Sequence, residues 1–102
     1  MEISRIDRQY VEFDTTATYG DGTPATLTGV DVALLPPRRT PAADTTWTAA
    51  TYAAPTATVL VAGPDAGGTG ALVVPAGGAD LWVRATDTPE VTATRVTRIS
   101  VV

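Results

Sequence analysis

The chain of 102 residues contains no histidine, no cysteine and no lysine, and its only serines are Ser4 and Ser100. A serine or cysteine nucleophile needs a neighbouring base, a zinc site needs imidazole or thiolate, and Schiff-base chemistry needs a lysine. The composition therefore excludes the commonest catalytic arrangements. A pair of carboxylates, as in a glycosidase, stays open, but no spacing singles out such a pair. We expect a protein with no enzymatic activity and no cofactor.

The charge balance is acidic, with seven arginines against eleven acidic residues and a net charge of −4 at pH 7. Such a chain has no overall positive field to attract nucleic acid or anionic lipid. No apolar run approaches the roughly 20 residues of a membrane span, and no apolar signal-peptide core follows Met1. We expect a single domain over 1–102, made in the cytoplasm, that binds neither nucleic acid nor membrane.

Threonine, alanine and valine dominate what is present, with nineteen, seventeen and twelve copies. β-branched residues favour strands, and several segments alternate apolar and polar residues with the period of two of a half-buried strand. The predicted strands cover 11–19, 27–35, 47–52, 56–62, 72–74, 81–86 and 91–102, the third being the weakest. This spacing predicts an all-β protein, an antiparallel immunoglobulin-like β-sandwich of about seven strands, with a small β-barrel as the alternative.

Two details of the alternation refine this prediction. Leu81 and Val83 share the apolar face of their strand, so both are predicted to lie in the core. In the last strand the apolar face changes sides, and a β-bulge or a change of partner strand near Arg95–Arg98 would explain the change.

Three groups of residues have an ordinary and a functional interpretation. The glycine-rich segment 63–70 offers backbone amides to an anion but lacks the lysine of a P-loop, so a plain connection is favoured. Trp47 and Trp82 are predicted to be core residues, since large aromatics anchor small sandwiches, with a contact role for one of them as the alternative. Calcium binding by acidic residues near turns is disfavoured because no calcium motif is present; these residues are Asp21, Asp65, Asp80, Asp87 and Glu90.

The segment 36–41 is a candidate contact with another protein. Its prolines restrict the backbone to an extended conformation, so Arg38 and Arg39 are displayed on a stiff loop. Guanidinium groups held in this way suit the carboxylates of a partner. We therefore predict Arg38 and Arg39 as partner-binding residues, with an ordinary charged loop as the alternative.

The N-terminal segment is a second candidate contact. Residues 1–9 alternate apolar and charged side chains, so Ile3 and Ile6 are available to pair with or pack against a neighbouring subunit. We predict both as partner-binding residues. Removal of residues 1–8 is expected to leave a folded domain that no longer binds.

The chain opens with a serine followed by a Tyr-Val strand, and it closes with a Trp-Val-Arg-x-Thr-Asp-x-Pro-Glu-Val hairpin. The residues that form these motifs are Ser4, Tyr10, Val11, Trp82, Val83, Arg84, Thr86, Asp87, Pro89, Glu90 and Val91. Together they resemble small immunoglobulin-like structural proteins from tailed phages of high-GC actinobacteria. The resemblance covers residues 3–13 and 77–102 well and the middle of the chain loosely.

The resemblance implies a virion component without enzymatic activity. Its most concrete form is a capsid decoration or minor capsid protein that docks on the lattice of the major capsid protein, with a homo-oligomer on the particle as one possibility. A head–tail connector or tail component is the variant. A free-standing carbohydrate-binding β-sandwich is the alternative from another class.

Overall fold

The computed structural model describes residues 1–18, 24–25, 27–67, 69–87 and 90–102, which form strands and no helix, so none of them belongs to a membrane-spanning helix. The five long strands are β2 (Arg8–Asp14), β5 (Gly29–Leu35), β8 (Thr56–Ala62), β10 (Ala79–Asp87) and β11 (Glu90–Val101). The short strands are β1 (Glu2–Ile3), β3 (Ala17–Thr18), β4 (Pro24–Ala25), β6 (Thr48–Ala49), β7 (Thr51–Ala53) and β9 (Leu72–Val73).

Two sheets pack face to face as a β-sandwich, which confirms the predicted fold class. The five-stranded sheet has the order β1-β11-β10-β5-β6, and the four-stranded sheet has the order β2-β8-β7 with β9 also paired to β8. The short strands β3 and β4 pair with each other. Neighbours are antiparallel except in the β1–β11 and β8–β9 pairs. Within the described residues the sheets do not close into the alternative barrel.

The strand predictions hold best where alternation is regular. Strand β8 matches the predicted segment 56–62 residue for residue, and β5 ends before the prolines as expected. The weak candidate at 47–52 is two strands, β6 and β7, which lie in different sheets on either side of Ala50. The strand predicted at 11–19 runs from Arg8 to Asp14 instead. The sequence also predicts turns after the first strand, at the glycines and aspartate of 20–22, and between the last two strands, at 87–90 with its proline. Residues 20–22 and 88–89 lie outside the described residues.

The core lies between the sheets and receives side chains from both. Its fully buried members include Val32 and Leu81 from the five-stranded sheet and Val61 from the four-stranded sheet. Val83 is also buried, so the prediction for Leu81 and Val83 is confirmed. Burying a side chain of this size contributes roughly 1.5–3 kcal/mol, so the two sheets stabilise each other through this shared core.

The predicted bulge is present in β11. The pairing of β10 with β11 shifts by one residue between Leu81 and Trp82, which leaves Val96 as the extra residue. Residues three apart in a regular strand point to opposite faces. Because of the extra residue, Arg95 and Arg98 both lie on the outer face, whereas Val96 packs against the core.

The N-terminal segment belongs to the sandwich, which corrects one prediction. Ile3 pairs with Val101 in the parallel β1–β11 pair and is only 1% exposed. The N-terminal ammonium group donates a hydrogen bond of 3.1 Å to the carbonyl oxygen of Arg98. Ile3 is therefore not available to a neighbouring subunit. Removal of residues 1–8 would take a core side chain and a strand with it.

Candidate functional site

The outer face of the five-stranded sheet carries two groups of ion-paired side chains that connect neighbouring strands. Because Leu81 and Val83 point into the core, the alternate residues of β10 point outward. We call this surface and the turn that follows β5 the arginine face, since five of the seven arginines of the chain lie on it. Its members are Asp31, Arg38, Arg39, Trp47, Asp80, Trp82, Arg84, Arg95 and Arg98.

One half of the arginine face is built around Arg84. Its Nη2 donates a hydrogen bond of 2.7 Å to Oδ2 of Asp31, the residue directly opposite on β5. The guanidinium carbon lies 4.8 Å from the centre of the Trp47 ring, a cation–π arrangement. These two contacts hold a planar cation against an aromatic ring at a partly exposed site. Arginine and tryptophan in this arrangement are typical of interface hot spots.

The other half is built around Asp80, which is 2% exposed although it lies on the outer side of its sheet. Arg98 Nε donates a hydrogen bond of 2.9 Å to Oδ1 of Asp80, and Arg95 Nη1 lies 4.0 Å from Oδ2. The hydrogen bond from Arg98 holds the pKa of the Asp80 carboxyl below its usual value against the opposing effect of burial. The charges of both arginines and the backbone amide of Arg38 lower this pKa further.

The turn at 36–39 follows β5 directly and is the part of the arginine face that lies outside the sheet. The amide of Arg39 donates a hydrogen bond of 3.2 Å to the carbonyl oxygen of Pro36, and Arg38 has a φ of 69°. A proline at the second position and a positive φ at the third are features of a type II turn, which normally has glycine at the third position. The left-handed conformation costs a residue with a side chain roughly 1–2 kcal/mol. Arg38 is therefore a strained residue on an exposed turn.

Trp47 and Trp82 are not core residues, so that prediction is wrong. Both are half-buried on the outer face and belong to neither core cluster of the described residues. For Trp82 the reason is the parity of β10, which gives the inner positions to Leu81 and Val83. The indole Nε1 of Trp82 is buried and has no hydrogen-bond partner among the described residues.

The other predicted contact residues are exposed. Ile6 is 73% exposed in the turn between β1 and β2, and Arg38 and Arg39 are exposed on the arginine face. Ile6 stays a predicted contact residue by itself, because Ile3 beside it is in the core. Alternation alone did not indicate this division.

The glycine-rich segment receives the N-terminal turn. Arg5 forms an ion pair with Asp65 at 2.7 Å, and Arg8 donates hydrogen bonds to the carbonyl oxygens of Gly67 and Thr69. A Cβ on Gly63 would overlap the backbone of the N-terminal turn. Gly68 of this segment lies outside the described residues. The described part of the segment binds the N-terminal turn of its own chain.

The acidic residues considered for calcium are not gathered in the described part of the chain. Asp65 is paired with Arg5. Asp80 is the second residue of β10, directly after the turn closed by Gly78 and Pro75, and is paired with Arg98. Asp21 lies outside the described residues. Among the residues that are described, no three metal-ligating side chains come together.

A shallow cavity of about 450 Å³ lies on the four-stranded sheet, where β8 has no partner between the end of β7 and the start of β9. Tyr10, 68% exposed, stands at its rim. Its lining also includes the hydroxyl-bearing residues Thr48, Thr51 and Thr58 and the apolar Leu60. This volume falls in the range of small-molecule sites.

No family model matches the chain, and no curated protein or solved structure shows significant similarity to it. The resemblance to virion proteins therefore stays a prediction from the motifs at the two ends of the chain.

Proposed function

We propose that this protein is a non-catalytic structural component that docks on another protein through the arginine face. In the setting that the resemblance implies, it is a capsid decoration or minor capsid protein of the virion. Its partner is then the major capsid protein. A head–tail connector or tail component is the variant of the same proposal.

The Arg84–Trp47 pair carries the proposal. Interfaces are enriched in arginine and tryptophan, and such residues dominate binding energy when they lie in partly desolvated positions. Arg84 is already fixed by Asp31, so little side-chain entropy is left to lose when a partner binds. The outer face of the four-stranded sheet, with Glu12 and Asp14 on β2, has no comparable pair among its described residues.

Co-sedimentation with particles that lack the native protein tests the proposal. The wild-type chain is expected to sediment with the particles, and Trp47→Ala is expected to weaken this binding at least tenfold, the usual scale of a hot-spot truncation. Tyr10→Ala, on the other sheet, is the matched control. Thermal melting of both variants separates a docking defect from unfolding. Equal binding of wild type and Trp47→Ala would move the docking surface elsewhere.

A second candidate function is favoured by the cavity beside Tyr10. An exposed aromatic ring next to three threonine hydroxyls is suited to a sugar ring, which stacks on an aromatic face and exchanges hydrogen bonds with hydroxyls. A glycan array tests it, with Tyr10→Ala expected to abolish binding and Trp47→Ala expected to preserve it. The two substitutions therefore give opposite results for the two functions.

A further inference from the structure

We propose that the arginine face selects an acidic, carboxylate-bearing surface of the partner protein, and that Asp80 is the positioning residue for its arginines. This inference rests on the proposed function, because it names the chemistry of the partner that docks there. It concerns the half of the face around Asp80, not the Arg84–Trp47 pair.

The first argument is local charge. Arg95, Arg98 and the turn with Arg38 and Arg39 surround a single buried carboxylate, that of Asp80. Arg98 uses only Nε for Asp80, and the side chains of Arg95 and Arg98 are about half exposed at 56% and 50%. Among the described residues, the side chains of Arg38 and Arg39 form no ion pair. On an acidic chain, this is a site with unused N–H donors and surplus positive charge.

The second argument is the strain at Arg38. A glycine would adopt its φ of 69° without cost. Non-glycine residues in this region concentrate at functional sites, where the surrounding structure holds them in place. Here the turn that displays the Arg38 guanidinium begins directly after Leu35, the residue that pairs with the buried Asp80.

The third argument is the register that brings these groups together. Asp80 pairs with Leu35, the last residue of β5, so the 36–39 turn begins directly beside the carboxylate. The extra residue Val96 puts Arg95 and Arg98 on the same side. The Asp80 carboxylate therefore holds Arg98 by a hydrogen bond, lies 4.0 Å from Arg95 and sits at the start of the turn that carries Arg38 and Arg39. Arg98 and Arg95 are thus ordered before a partner arrives. Such pre-organisation lowers the entropy cost of binding.

The positioning role is testable because it predicts the opposite effect of Asp80→Asn from the one that charge alone predicts. Asp80→Asn removes a negative charge from a positive surface, so binding of an acidic probe should tighten if only charge matters. If Asp80 positions the arginines, binding should weaken instead, and we expect a loss of about threefold or more at low ionic strength. The probe is a synthetic hexaglutamate peptide, followed by NMR titration of the full chain. Asp65→Asn, which makes the same charge change at the Arg5 pair, is the control and should not weaken binding.

Arg38→Gly tests the partner chemistry without a risk to folding, because glycine suits the conformation of the turn. We expect weaker hexaglutamate binding by about two- to fivefold, the range of one exposed ion pair, with an unchanged or higher melting temperature. Added salt should reduce wild-type binding more than binding of this variant. A hexalysine peptide and inorganic phosphate are the control probes. Phosphate binding as tight as that of the peptide would overturn the assignment to a carboxylate surface.

The same variants in the particle assay separate this inference from the proposed function. Loss of docking in Asp80→Asn and Arg38→Gly supports both. Normal docking of these variants alongside failure of Trp47→Ala would overturn the inference and keep the proposed function. Normal docking of all three would overturn both. Sedimentation equilibrium that shows self-association lost in Arg38→Gly would identify the occupant as a second copy and overturn the assignment to a different protein.

Discussion

The N-terminal segment and the 36–41 segment both have the sequence of a surface contact, yet the structure treats them differently. In the first, Ile3 is a core residue that pairs with β11. In the second, Arg38 and Arg39 are exposed on the turn that belongs to the arginine face. Alternation indicates that one side of a strand is buried. It does not indicate whether the strand is buried by its own chain or by a neighbouring subunit. The prolines of 36–41 predicted an extended loop. The structure has a turn there instead, with Arg38 at positive φ, but both arginines are exposed as predicted.

The largest expected effect concerns Ile3 and tests whether the N-terminus is structural. Ile3→Ala should reduce the free energy of unfolding by about 2–5 kcal/mol, because it removes a fully buried side chain and leaves a cavity. Chemical denaturation measures the change. Ile6→Ala, at the exposed neighbour, should change stability by no more than about 0.5 kcal/mol. Equal effects of the two substitutions would contradict the difference between these residues.

The next effect concerns the docking of the N-terminal turn on the glycine-rich segment. Gly63→Ala should destabilise the protein by about 1–3 kcal/mol, because a Cβ would overlap the backbone of Ser4 and Arg5. Gly77→Ala is the matched control, since a Cβ there meets no atom within 4 Å. Thermal melting compares the two. An unchanged Gly63→Ala variant would show that the N-terminal turn can move away at little cost.

Asp80, on the arginine face, makes the stability of the protein depend on pH in the acid range. The pKa of Asp80 is lower in the folded protein than in the unfolded chain. The ionised carboxylate therefore contributes to the free energy of unfolding above the unfolded pKa of about 4, and this contribution is lost as pH falls through the folded pKa. A hydrogen bond to a charged group contributes about 1.5–3 kcal/mol. Denaturation at pH 6 and at about pH 2.5 should show a smaller acid loss in Asp80→Asn than in wild type. The pKa of Asp7 is also lowered, by hydrogen bonds from Ser4. Because Asp7 is present in both proteins, its contribution to the loss of stability in acid is the same in each.

The smallest effect concerns the strained turn. Arg38→Gly should raise the free energy of unfolding by up to about 1 kcal/mol, because the strain of a side chain at positive φ is removed. Arg39→Gly should instead lower it by about 0.5–1 kcal/mol, since glycine there only adds freedom to the unfolded chain. Denaturant unfolding of the two variants under identical conditions resolves the opposite signs. A destabilised Arg38→Gly variant would show that its side chain supports the fold.

The sequence predicted the sandwich, the core positions of Leu81 and Val83, and the bulge, because each depends on the local alternation of side chains. It did not predict the role of Asp80. A carboxylate next to a glycine pair at 77–78 has the sequence of a turn, and only the pairing with Leu35 and Arg98 across the sheet explains its burial.

The arginine face was missed for the same reason. Its members come from three strands and the connection between β5 and β6, and the register that unites them depends on tertiary pairing. The tryptophans were misplaced because side-chain size was given more weight than strand parity. A reading of parity alone would have put Trp82 on the outer face, next to Arg84.

The parallel β1–β11 pair has a consequence for how the chain folds. It joins Ile3 to Val101, almost the longest separation that this sequence offers, and it completes the core. During synthesis the first strand must therefore wait for the last, and Ile3 stays exposed until residues 98–101 have left the ribosome. Closing so long a loop is slow, and folds dominated by non-local strand pairs take milliseconds to seconds. Ile3 is thus synthesised long before its partner Val101 and is fixed in place late.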